Sequence, residues 1–311
     1  MQLISSIHAQ QIRNKAIELG FDAIGFSVAD SLDDDAKRLK NWLSENYQAG
    51  MAYMANHFEK RTDPRLLVEG AKTVISVIHN YFPSRKPSSD NPLLIARYAY
   101  GQDYHNVIKT KLQGLFDYIK QDIYPNLEGR VFTDSAPVLE RTWAARAGLG
   151  WVGKNGNLIH PKIGSYFFIA ELIVNLELPS SNTPMRDYCG GCTKCIDACP
   201  TQAIVAPKTI DSYRCISYQT IENKDAIPEE FTGKLQSRIF GCDICQEVCP
   251  WNRKAQPHSE PQFEPSDELM AMTRFDWENL DHEKFTKLFK GSAVKRTRFA
   301  GLKRNIGFAG L

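Results

Sequence analysis

The sequence predicts an α+β chain in three parts: an N-terminal domain of α/β type over residues 1–178, a small cysteine-rich module over 185–255, and a short helical segment over 266–311. Three observations carry this reading. Strand-like and helix-like stretches alternate up to about Leu178, all eight cysteines fall between Cys189 and Cys249, and beyond Pro257, Pro261 and Pro265 the apolar residues recur at helical spacing. A chain of 311 residues can bury one large core and a smaller one.

The elements follow in order. Ser6 to Leu19 reads as a helix closed by Gly20, with a strand over Asp22 to Val28 and a second helix over Asp33 to Asn46. Thr73 to Tyr81 is an apolar strand after a turn containing Pro64 and Gly70, and Pro83 to Pro92 is a loop. Ile108, Leu112, Leu115, Phe116 and Ile119 share one face of a helix over Val107 to Ile123. Arg130 to Thr133 is a short strand, Pro137 starts a helix that runs to Ala147, and Ile163 to Asn175 contains a long strand. Pro179 to Pro184 links to the cysteine module, and helices fill Asp281 to Leu311.

Bulk properties narrow the class. A net charge of +2 and 42% hydrophobic residues describe an ordinary soluble protein. Met1 to Gly20 has no apolar signal region, and the longest apolar stretch, Tyr166 to Val174, is too short to span a bilayer and contains Glu171. Neither secretion nor membrane insertion is expected, and thiolate ligands that must stay reduced point to the cytoplasm.

Spacing says what the cysteines hold. Cys189, Cys192, Cys195 and Cys199 followed by Pro200 form C-x2-C-x2-C-x3-C-P, the run by which bacterial two-cluster ferredoxins ligate 4Fe-4S centres. A shortened second run, Cys242, Cys245 and Cys249 before Pro250, lacks its first thiolate, and Cys215 between the runs is the substitute. The fourth cysteine of such a run ligates the other cluster. One cluster then takes Cys189, Cys192, Cys195 and Cys249, and the other takes Cys199, Cys215, Cys242 and Cys245. Two zinc sites or a disulfide framework are the competing readings, but neither needs three evenly spaced cysteines and then C-P.

Other motifs carry less. Gly148, Gly150 and Gly153 match G-x-G-x-x-G, and Lys154 extends this to the start of a P-loop, but Asn155 stands where Ser or Thr must ligate magnesium, and the segment follows a helix instead of a strand. A glycine-rich loop remains, structural or approached by something large. Asp103 and His105 resemble the opening of the D-x-H-x-x-G signature that donates histidine to cobalt in cobalamin, but Ile108 replaces the glycine; an acid/base pair and a helix cap are the two readings left. Asp134 sits where a strand ends and a helix begins, an address that suits a catalytic carboxylate or an N-cap. From Lys284 to Arg304 there are eight basic residues and no acidic one, as expected either of a phosphate-binding patch or of a solvated helix face.

Several segments together resemble the epoxyqueuosine reductase family: Arg61 to Arg65, Tyr98 to His105, Asp134 to Glu140, Ala144 to Asn155, Arg214 to Tyr218 and Gly241 to Asn252. The resemblance runs from about Gly20 to the C-terminus. It implies a cobalamin-binding catalytic domain, similar to that of reductive dehalogenases, joined to a two-cluster ferredoxin-like module. It further implies reduction of epoxyqueuosine to queuosine at the wobble position of tRNA, with electrons passing from the two 4Fe-4S clusters to a cobalamin that has no protein lower ligand. Asp134 is then the proton donor, and burial is expected to raise its pKa; Asp103, Tyr104 and His105 line the same pocket. Arg61, Arg97, Lys154, Asn155, Asn157, Ser165, Ser217 and Gln219 are the candidate cobalamin contacts. Partners implied are the tRNA anticodon stem-loop and an external electron donor, with the chain a monomer. Many members continue into a helical-repeat domain that grips tRNA, and Arg296 to Ile306 looks like its beginning. The alternatives are a corrinoid iron-sulfur reductase of a small molecule and an electron carrier fused to a binding domain, the latter disfavoured by the size of the N-terminal domain.

Overall fold

Two long apolar runs form the middle of the sheet. In the computed structural model, β1 (Ala23–Val28), β2 (Thr73–Asn80), β3 (Gly129–Phe132) and β4 (Phe167–Val174) pair in the order β1-β2-β4-β3, every neighbouring pair antiparallel. The structure describes residues 2–88, 93–180 and 184–310; parts of the loop expected over Pro83–Pro92 and of the linker over Pro179–Pro184, and both terminal residues, lie outside the described residues. The α/β reading of the N-terminal part is thereby corrected to α+β. A strand buried on both faces has the same apolar sequence whether its neighbours run parallel or antiparallel.

Both faces of this sheet are covered by helices. Ile12 and Ala16 of α1 (Gln2–Glu18) and Ile108 and Leu112 of α3 (Tyr104–Tyr118) pack against Ile75, Val77, Ala170 and Leu172. Trp143 and Ala144 of α4 (Glu140–Arg146) pack on the opposite face, against Val74, Phe132, Ile173, Ile78 and Phe167. Helix α2 (Asp33–Ser44) places three aspartates in its first turn, where they meet the positive end of the helix dipole.

Two boundaries differ from the expected ones. Helix α3 starts at Tyr104 because Asp103 caps it, its carboxylate accepting from the His105 N–H at 3.0 Å, and the helix widens into a π turn over Ile119–Ile123. Helix α4 starts at Glu140 and not at Pro137, because the chain between them is spent on tight turns, Ser135 N to Thr133 O at 2.6 Å and Val138 N to Ala136 O at 2.8 Å.

Each cysteine run folds around one helical turn, Lys194–Asp197 in the first and Ile244–Glu247 in the second. The module is locked to the sheet by a buried amide network. Asn252 accepts from the Ser165 N–H at 2.7 Å and donates to the Gln246 carbonyl at 2.7 Å, while Gln246 donates to the Ser165 carbonyl at 2.9 Å. Further on, Arg238–Phe240 pairs in parallel with Leu94–Ile95. The helices after Ser266, ending in α5 (Arg298–Ala309), close a core that mixes Leu93, Ile95 and Tyr100 with Ile239, Phe240, Trp277 and Leu302. Asn305, wholly buried, donates to the Thr220 and Ile239 carbonyls at 2.8 Å each. No helix among the described residues is long and apolar enough to cross a membrane.

Gly25 shows how closely α4 sits on the sheet. A Cβ there would stand 2.1 Å from the Ala147 carbonyl oxygen, so Gly25→Ala must push the helix off β1. The substitution is expected to lower stability by about 1–3 kcal/mol or more, read as a reduced urea midpoint.

Candidate active site

The cap of α3 and the turn after β3 bring four of the sequence candidates together. Tyr104 and His105 project from the first turn of α3, and Asp134 follows β3 with a left-handed backbone, φ 51°. The Tyr104 hydroxyl donates to Asp134 Oδ2 in a very short hydrogen bond. His105 Nε2 lies 3.6 Å from the same oxygen, and its Nδ1 lies 2.7 Å from Asp103 Oδ1. Tyr104 is stacked between the His105 ring, centroids 4.1 Å apart, and Phe168, 4.2 Å away. Tyr98 meets it edge-on at 6.0 Å, so an aromatic wall fixes the phenol.

Charge is distributed in a definite way. Burial disfavours the charged form of His105, but hydrogen bonds and charge from Asp103 and Asp134 prevail and push it from 6.5 up to about 9. For Asp134 the surroundings press upward, yet hydrogen bonds from His105 and Tyr104 and the charges of His105 and Arg296 hold it below the ordinary carboxylate range. The expectation of a raised Asp134 is therefore corrected: its side chain is 60% exposed at the open end of the pocket, and an imidazolium stands beside it. The shifts favour the proton on His105 over Asp134. Burial pushes the Tyr104 and Tyr98 phenols above their ordinary value, and the Asp134 charge adds to this.

Sequence reasoning named no role for the carboxyls behind Asp134. Glu140 accepts the Asp134 main-chain N–H, and burial together with the Asp134 charge pushes it up to about 8. Glu171, paired in register with Phe132 and Ser76, is fully buried, and neither of its oxygens has a hydrogen-bond partner among the described residues. Its signal was available, a lone acid inside the apolar run Phe167–Val174. At the pocket mouth, Arg296 pairs with Glu222 at 2.5 and 3.0 Å, and Tyr53 lies within range of both and of Asp134.

The cysteines fall into two neighbourhoods. Cys189, Cys192, Cys195 and Cys249 influence one another electrostatically, and Cys249 shares an apolar patch with Trp151, Cys189 and Trp251. Cys199, Cys215, Cys242 and Cys245 form the second group. None of the eight is in a disulfide. Burial pushes the Cys242 thiol up to about 12, and metal ligation requires its thiolate, so binding a metal there would release a proton.

The expected cofactor contacts divide. Asn157 Nδ2 points at Cys245 Sγ, 3.9 Å away, Asn155 Nδ2 reaches the Cys245 carbonyl at 3.4 Å, and Lys154 Nζ holds the Gly190 carbonyl at 2.7 Å. Ser217 lies two residues from Cys215 with its N–H directed at that sulfur. Arg61 is buried and donates to the Tyr53 carbonyl at 2.8 Å; its Nε and Gln48 Oε1, nearby in sequence, have no partner among the described residues. Three expectations are corrected. Ser165 is committed to Asn252 and Gln246, and the Gln219 amide to the Tyr213 carbonyl and Asn223, so both pack the interior with no group to offer a ligand. Arg97 lies against the Tyr166 ring and pairs with Glu247 at 2.9 Å and Asp243 at 3.3 Å, lining a separate cavity of about 250 Å³ with Arg85, Arg238 and Cys242.

The histidine gives a pH test. Because its folded pKa is raised, the stability that His105 contributes is fully present below about 6.5 and is lost as pH rises through about 9. The urea midpoint of the wild type should therefore exceed that of His105→Gln most at pH 6, with the gap closing toward the alkaline end.

Comparison with known proteins places the chain. A model of the 4Fe-4S double cluster binding domain matches residues 188–252, and the model described as epoxyqueuosine reductase QueG, DUF1730, matches residues 61–135. The epoxyqueuosine reductase of Leadbetterella byssophila is 56% identical over 301 residues, covering 97% of this chain and 98% of the relative. That of Escherichia coli is 42% identical over 306 residues, covering 97% and 80%. A crystal structure of epoxyqueuosine reductase with an epoxyqueuosine-modified tRNA-Tyr stem loop superposes with a TM-score of 0.91 at 32% identity, over 98% of this chain and 81% of that one. With double-cluster domain, catalytic segments and overall fold all shared, this chain is an oxidoreductase that belongs to the epoxyqueuosine reductase family.

Proposed function

We propose that this chain reduces the epoxide of epoxyqueuosine in a tRNA anticodon stem-loop, giving queuosine, with Asp134 delivering the proton. The observation that carries the reading is the Asp103–His105–Asp134–Tyr104 cluster in a chain 56% identical to a named epoxyqueuosine reductase. On the same reading the chain works as a monomer in the cytoplasm, takes electrons from an external donor, and is organised as a catalytic domain over 1–178, a cluster module over 185–255 and a helical segment over 266–311.

The reaction takes up two electrons and two protons, breaks both carbon–oxygen bonds of the epoxide, and leaves an alkene and water. Eight cysteines without disulfides, in two neighbourhoods, suit two 4Fe-4S clusters, which supply electrons one at a time. A corrin is supported by the unpartnered Arg61 Nε and Gln48 Oε1 and by the Asn157 amide beside Cys245, groups able to hold its peripheral amides. Cobalamin held by Arg61 and Asn157, with Ser217, Lys154 and Asn155 the candidates that would have to exchange a protein partner for it, would supply the low-potential reductant.

The chain's own residues manage the proton. His105, charged at neutral pH, stores it; Asp103 fixes the ring through Nδ1 and leaves Nε2 facing Asp134. Asp134 takes one proton from His105 and passes it to the epoxide oxygen, while the Tyr104 phenol orients the carboxyl. The second proton, needed to release that oxygen as water, comes from solvent at the open end of the pocket. Asp134→Asn is expected to lose about 10²–10⁴-fold in kcat on an epoxyqueuosine stem-loop with iron content unchanged. Full activity in that variant, with clusters and cobalamin in place, would exclude Asp134 as donor.

Of the basic run, Lys284, Lys287 and Arg296 are taken by Asp276, Glu268 and Glu222, and Lys303 and Arg304 by main-chain carbonyls. Lys290, Lys295 and Arg298 stay exposed and are assigned to tRNA phosphates. Replacing these three with Gln should weaken stem-loop binding and flatten its salt dependence by about one unit of log–log slope for each phosphate left unneutralised, with kcat kept. An unchanged slope would remove the patch from the interface.

A further inference from the structure

We infer that Glu140 is a positioning residue for the reaction: from the first turn of α4 its carboxyl takes the Asp134 main-chain N–H and fixes the left-handed turn that aims the Asp134 carboxyl at Tyr104 and His105. This rests on the reading of Asp134 as the proton donor. Asp134 is thereby held from two sides, its main-chain N–H by the sheet-helix layer and its carboxyl by the pocket.

The turn needs an anchor. A non-glycine residue at φ 51° lies in the left-handed region that favours glycine and persists where its surroundings over-determine it. Asp134 stands on an exposed loop, and its side chain is engaged on the pocket side by Tyr104 and His105. On its other side the main-chain bond to Glu140 reaches a fixed platform, since Trp143 and Ala144 of the same helix are buried in the sheet face. Ser135 N to Thr133 O and Thr133 Oγ1 to Ile169 O, at 2.6 and 3.2 Å, tighten the strand end from which the turn departs.

Glu140 accepts the N–H from a site where burial and the Asp134 charge disfavour its own ionisation. Glu171, buried on β4 with neither oxygen hydrogen-bonded among the described residues, is likewise pushed up by burial. Around Glu140 stand Asp134 from the loop, His105 and Tyr104 from α3, Arg141 from its own helix and Glu171 from the sheet. Arg141 is committed elsewhere, donating to the Gly156 carbonyl. Near neutral pH a mostly neutral Glu140 accepts the N–H while leaving His105 as the dominant charge that Asp134 meets.

Three substitutions separate positioning from mere folding. Glu140→Ala removes the acceptor, Glu140→Asp withdraws it by one methylene while keeping an acid, and Glu140→Gln leaves an acceptor of the same reach. Measured on the holoenzyme with an epoxyqueuosine stem-loop, Ala and Asp should lower kcat by about 10–100-fold with KM nearly unchanged, and Gln should recover most of it. Hydrogen exchange supplies a readout free of catalysis: the Asp134 amide should lose protection in Ala and Asp and retain it in Gln. Wild-type kcat and amide protection in Glu140→Asp, or a Gln variant no better than Ala, overturns the inference. Activity in Asp134→Asn overturns the donor reading alone, because the Glu140 series reads the turn through the amide and not through the proton.

Discussion

The buried side-chain amide of Asn252 decides where the cysteine module stands against the sheet. It is joined to Ser165 at the start of β4 and to Gln246 between two cysteines, and none of these groups has water to fall back on. A buried network of this kind must be satisfied in one arrangement, and that arrangement sets the distance between the cysteines of the second run and the N-terminal domain. Gly164 shows the tightness, since a Cβ there would sit 2.1 Å from Asn252 Oδ1. Asn155 and Asn157 reach Cys245 because this docking is fixed, so the loop after Gly153 and the second cysteine run are held against each other.

Electrostatics in the pocket follow from a similar economy. Four ionisable groups, Asp103, His105, Asp134 and Glu140, crowd one end of the sheet, and the protein resolves the crowding by favouring the proton on His105 and holding Glu140 and Glu171 back from ionisation. A carboxylate next to an imidazolium is stable while the pocket is open to water. On the proposed reading, substrate that excludes water makes the separated charges less favourable and eases the proton toward Asp134. Tyr104, wedged between His105 and Phe168, keeps the acceptor oxygen from turning away.

Much of the cysteine chemistry was legible in the chain because it is a matter of spacing. The run from Cys189 to Pro200 carries its ligand pattern in consecutive residues, and the gap in the second run pointed to Cys215. Asp103, Tyr104 and His105 were equally visible, being three neighbours at a helix start. Other features were not. Ser165 and Gln219 looked as free as Asn157, and their commitment to Asn252, Gln246 and Tyr213 depends on partners brought in by the fold. The basic run looked like one patch, but five of its members are spent on acids and carbonyls from other segments.

By itself the sequence determined most of the elements and the double cysteine run, because both are written in local spacing and composition. Tertiary structure alone decided that the sheet is antiparallel, that Asp134 is held ionised beside a charged His105, and that Glu140 and Glu171 stand behind it. Strand direction and proton affinity are properties of neighbours brought together across the fold, and no window of adjacent residues contains them.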